Sequence, residues 1–95
     1  LDPTVLDREV TIEFQQMVAD ILYEIDPIIT FHDFRVVTGD KNKNVLFDVV
    51  VPPEYKYADI QLIDMIKNRV KDAGEGKLYA VVVVDKSYGE LTDED

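Results

Sequence analysis

The chain has no cysteine, no tryptophan, a single histidine (His32) and a single serine (Ser87). Without thiols there are no disulfides, no thiolate zinc sites and no thiol nucleophile, which fits a reducing, intracellular setting. One serine with no second histidine leaves no base with an orienting partner for nucleophilic catalysis. Glycine is scarce, and Gly74-Glu75-Gly76 is not a phosphate loop, because it places a glutamate where an anion would bind. No segment approaches the ~20 apolar residues needed to span a bilayer, and no signal peptide is recognisable. The chain opens on Leu1 rather than methionine, so it is read as a piece of a longer protein. Bases are outnumbered 10 to 20 by acids, giving a net charge of −10. That field repels nucleic-acid phosphates and attracts cations. The expectation is a non-enzymatic protein with no nucleic-acid partner.

What is present is the composition of a folded domain: 95 residues, 46% apolar and 32% charged. One domain is expected over 1–95, with a lead-in at 1–7 and an acidic, frayed tail at 89–95. Val10, Phe14, Met17, Val18, Ile21, Leu22 and Ile25 recur at helical spacing. A helix of four to five turns should therefore start at a cap on Asp7 and stop at Asp26-Pro27. Ile28–Thr38 reads as a strand, 39–44 as a polar turn, and Val45–Val51 as the returning strand closed by Pro52-Pro53. A second helix is expected over Tyr57–Asp72, with Ile60, Ile63, Ile66 and Val70 on its apolar stripe and Leu62 and Met65 widening it, and a last strand over Leu78–Val84. The order αββαβ, with a hairpin and a right-handed crossover, gives an α+β, two-layer ferredoxin-like sandwich. Its three-stranded mixed sheet has both helices on one face.

The strands are apolar on both sides. Val45, Phe47, Val49 and Val51 share one face, Leu46 and Val50 the other, and Val81–Val84 are four valines in a row. Two helices cannot cover both faces. A second copy of the chain would cover the surplus, making a homodimer, unless Val81–Val84 is simply the central strand.

His32, Asp33, Asp48 and Asp85 each interrupt or end one of these apolar strands. A carboxylate there is costly unless it is paired or metal-bound, and imidazole with carboxylates suits zinc, manganese or iron(II). A packed histidine and solvated strand-end aspartates would explain the same residues without metal.

The stretch Ile25-Asp26-Pro27-Ile28-Ile29-Thr30-Phe31-His32-Asp33-Phe34-Arg35-Val36 resembles the segment that opens the first strand in the cytoplasmic C-terminal domains of cation diffusion facilitator (cation efflux) transporters. Tyr57–Val70, with Ile63-Asp64 inside it, looks like that family's second helix, and Val81–Lys86 like its last strand. The resemblance covers Asp2 to Tyr88. It implies a regulatory dimerisation domain that follows the transmembrane portion of a divalent cation/proton antiporter. Such a domain lies at the cytoplasmic face of the cell membrane and senses Zn2+ or Mn2+ at the dimer interface. Carried over position by position, the family's metal ligands fall on His32, Asp48 and Asp85. Two further family histidines fall on Val83 and near Ile60, and Lys86 replaces a proline. The implied site is half erased: it binds weakly, prefers a harder ion such as manganese, or is lost and the domain only dimerises. The competing reading is a ferredoxin-like module sensing a small ligand, although such domains carry glycine-rich turns where this chain has Asp40-Lys41-Asn42-Lys43-Asn44.

Overall fold

The computed structural model describes the backbone of residues 4–86 and the side chains of residues 9–86; the acidic tail falls outside them. The elements are α1 (Thr4–Ile25), β1 (Thr30–Thr38), β2 (Lys43–Val50), α2 (Asp59–Ala73) and β3 (Leu78–Asp85). This is the expected αββαβ order. The sheet runs β1-β2-β3, with β1 and β2 antiparallel and β2 and β3 parallel.

Helix α1 is longer than its apolar spacing suggests. Its 22 residues make about six turns, and Asp7 lies inside the helix rather than capping it. Helix α2 buries most of its expected stripe but not Ile60. Leu62, Ile66 and Val70, spaced by four, are the buried residues, while Ile60 is 76% exposed. Ile60 belongs to the first turn, ahead of the sheet contact. The Gln61 side chain reaches back to accept from the backbone N–H of Ala58 (3.1 Å), which holds that turn. The helix stops where Glu75 and Gly76 take positive φ. Gly74 is required there, since a Cβ would stand 2.3 Å from that of Leu78.

One core lies between the helices and the inner sheet face. Val18 and Leu22 of α1 and Leu62, Ile66 and Val70 of α2 meet Val45, Phe47, Val49, Ala80 and Val82. Strand β2 is central and contributes the alternating, solvent-free residues Val45, Phe47 and Val49. Strand β3 is therefore an edge, and the four valines do not mark the middle of the sheet. Leu78, Ala80 and Val82 face the core, while Tyr79, Val81 and Val83 face outward.

A polar latch ties the two connections at one end of the sheet. Asp26 accepts from the backbone N–H of Ile28 (3.2 Å), closing the α1–β1 turn. It also accepts from the Tyr55 hydroxyl (2.8 Å), 29 residues onward in the β2–α2 loop. Lys56 Nζ stands 3.7 Å from the same carboxylate. The Tyr55 hydrogen bond, the Ile28 N–H and the lysine together hold the Asp26 carboxyl below its ordinary range. Burial, and then the neighbouring carboxylate, push the Tyr55 hydroxyl up.

Candidate metal centre

The sequence Phe31-His32-Asp33-Phe34 cannot serve both sheet faces as a regular strand. Strict alternation would put Phe34 on the same side as His32. The chain resolves this with a β-bulge. His32 pairs with Asp48 but Arg35 pairs with Leu46, so β1 spends one extra residue between them. Asp33 takes φ 58, a left-handed conformation that aspartate tolerates better than most residues. Phe34 thereby turns inward with Phe31. Both rings pack on Phe47, with centroids 5.9 and 5.8 Å from its own.

The bulge leaves His32 and Asp33 together on the exposed side. Asp33 Oδ2 lies 3.0 Å from His32 Nδ1. A carboxylate only accepts, so Nδ1 carries the proton and Nε2 presents the lone pair. Asp48 is the β2 partner of His32 in the register. One ligand atom from each of His32, Asp33 and Asp48 falls within 4.8 Å of the others. Donors that close can share one ion at ~2.1 Å from nitrogen and oxygen. The donor chemistry fits zinc or manganese, with His32 and Asp48 as ligands. Asp33 then either ligates or fixes the imidazole from behind, as carboxylates commonly do. Among the described residues the cluster has three side chains, short of a full coordination sphere.

Of the carried-over residues, His32 and Asp48 stand side by side. Asp85 pairs with Val50, one row further along the same face, and is not in the group within 4.8 Å; its backbone carbonyl accepts from Val51 N–H. Val83 occupies the position beside Asp48 and offers no ligand. Asp33 was in the sequence set of strand-interrupting residues, but not among the positions carried over from the family resemblance.

Around this cluster the outer sheet face is half apolar. Row by row across β1, β2 and β3 it reads Thr30-Val50-Asp85, His32-Asp48-Val83, Arg35-Leu46-Val81 and Val37-Asn44-Tyr79. Val81 and Val83 are 47% and 55% exposed, and neither α1 nor α2 covers them.

Comparison with protein-family models, curated proteins and solved structures finds no match to this chain. No helix among the described residues is long and apolar enough to cross a membrane.

Proposed function

We propose that this domain pairs with a second copy through its outer sheet face, holds a divalent cation at the seam, and serves as the regulatory dimerisation domain of a cation efflux transporter at the cytoplasmic face of the membrane. The observation that carries the reading is a half-apolar sheet face, covered by neither helix, with the His32–Asp48 couple set into it. Val37, Leu46, Val50, Val81 and Val83 on that face give the copies a reason to associate. A cluster with too few ligands gives a cation a reason to favour the associated state. The resemblance in the first strand, over Ile25–Val36, supports the transporter assignment.

The size of the face supports a tethered role. Three strands spaced ~4.8 Å apart, eight or nine residues long at ~3.3 Å each, project an area on the order of 370 Å2. Stable complexes bury about 800 Å2 per partner. The free domain should pair weakly, on the order of 10–100 μM. Joining each copy to one half of a membrane dimer raises the effective concentration to about millimolar, which makes the contact switchable rather than permanent. A cation that binds only the paired state then shifts the equilibrium by its differential affinity.

Sedimentation equilibrium with and without Mn2+ or Zn2+, alongside calorimetry, tests this. Self-association strengthened by metal is expected. His32→Ala and Asp48→Ala should each lower metal affinity at least tenfold, with Asp85→Ala deciding whether the neighbouring row contributes. A strict monomer at high micromolar concentration in both conditions would end the dimer reading, and unchanged metal binding in both first variants would remove the site.

A further inference from the structure

The chain has twice as many acids as bases, yet one cavity has three lysines and no acid in its lining. It holds about 210 Å3, walled by Phe14, Gly74 and Leu78 and rimmed by Lys41, Lys43 and Lys77. Lys41 belongs to the β1–β2 turn, Lys43 opens β2 and Lys77 immediately precedes β3. The backbones that carry them are locked together. Lys43 N–H donates to the Lys77 carbonyl (3.1 Å), and Gly39 N–H donates to the Asn42 carbonyl across the turn (2.8 Å).

Lys56, Arg69 and Lys86 each have a carboxylate within 4 Å, whereas among the described residues Lys41, Lys43 and Lys77, like Arg35, Lys67 and Lys71, have none; these three differ from the other unpaired bases in lining one cavity without an acid. Three like charges around one opening raise one another's energy, and an anion placed between them relieves it. The end of α2 also draws cations, but Lys71 already stands in its last turn, and Lys41 and Lys43 come from a different connection. Phe14 and Leu78 add a need for hydrocarbon. The volume is below the ~300 Å3 at which drug-sized sites begin, so it suits one ring or a short chain. A phosphate monoester brings about −1.5 to −2 charge and three acceptor oxygens, which matches three ammonium groups.

We propose that this cavity binds a small organic phosphomonoester, its phosphate among Lys41, Lys43 and Lys77 and its hydrocarbon part on Phe14 and Leu78. The site lies apart from the outer sheet face and does not depend on dimerisation. Titration of the 15N-labelled chain with phenyl phosphate should give saturable amide shifts at Lys43, Gly74, Lys77 and Leu78. Inorganic phosphate should bind at least tenfold more weakly, and phenol should give no shifts there. Lys43→Gln/Lys77→Gln, confirmed folded by its melting curve, should lose at least tenfold in affinity. Absence of saturable shifts around the cavity, or equal affinity in the double variant, overturns the site. Equal binding of inorganic phosphate overturns the hydrocarbon half. Phosphatidate offers the same group on a membrane. Co-sedimentation with phosphatidate-containing phosphatidylcholine vesicles, lost in the double variant, would assign a lipid source, and phenyl phosphate binding without co-sedimentation a soluble one.

Discussion

Val81→Thr probes the outer face with least disturbance to the monomer. Val81 stands beside Leu46, away from His32 and Asp48, and is 47% exposed. Threonine keeps the β-branched shape and strand preference, so the stability of the single domain should stay within about 0.5 kcal/mol of the parent. Burying a whole valine is worth about 1.5–2 kcal/mol, and roughly half of Val81 remains to be buried on pairing, which leaves ~1 kcal/mol per copy. Two copies meet across the face, so the dimer should weaken by about 2 kcal/mol, or about thirtyfold in dissociation constant. Sedimentation equilibrium from 10 μM to 1 mM would read this directly, with urea unfolding as the control. If the parent self-associates and Val81→Thr does so equally well, with unfolding unchanged, the outer face is not the contact surface.

Three further predictions concern the fold that presents the site. Phe47→Ala removes the ring on which Phe31 and Phe34 pack and should cost about 3–5 kcal/mol in urea unfolding, close to the whole stability of so small a domain. At the bulge, Asp33→Gly should raise stability by ~1 kcal/mol because glycine accepts φ 58 without penalty, while Asp33→Val should lower it by about 1–2 kcal/mol. The exposed His32–Asp33 contact is worth too little to reverse that order. The Asp26–Tyr55 latch sets the pH limits. The Asp26 carboxyl titrates below its unfolded value of about 3.9, so its contribution is present above that pH and disappears as acid protonates it. The Tyr55 hydroxyl titrates above its unfolded value of about 10, so its contribution is present below that pH and fades as alkali is added. Tyr55→Phe should lower the urea midpoint at pH 7 and flatten both edges of the stability–pH curve; an unchanged profile would show that the hydrogen bond couples to neither titration.

Much of the architecture was written in local chemistry. Proline at 27, 52 and 53 and glycine at 74 and 76 punctuate the elements. The helical spacing from Phe14 to Ile25 and the alternation from Val45 to Val51 name the faces that become the core. Those signals survive because a side chain's periodicity reports burial whatever its neighbours are. The stripe on α2 was harder to read: Ile60 and Leu62 look equally apolar, and only the position of the sheet beneath the helix buries the second and leaves the first in water.

The alternation of Val45–Val51, the doubly apolar valines and the lone His32-Asp33 pair could be read from sequence before any fold was known, since each is a property of residue type and spacing. Three things required the tertiary structure. Strand β3 became an edge because β2 pairs on both sides. Asp33 and His32 met Asp48 because a bulge, forced by two phenylalanines that both sought the core, shifted the register by one residue. Lys41, Lys43 and Lys77 converged because two turns more than thirty residues apart close against each other. Each depends on pairing between distant segments, and local preference carries no information about which distant segment a strand or turn will meet.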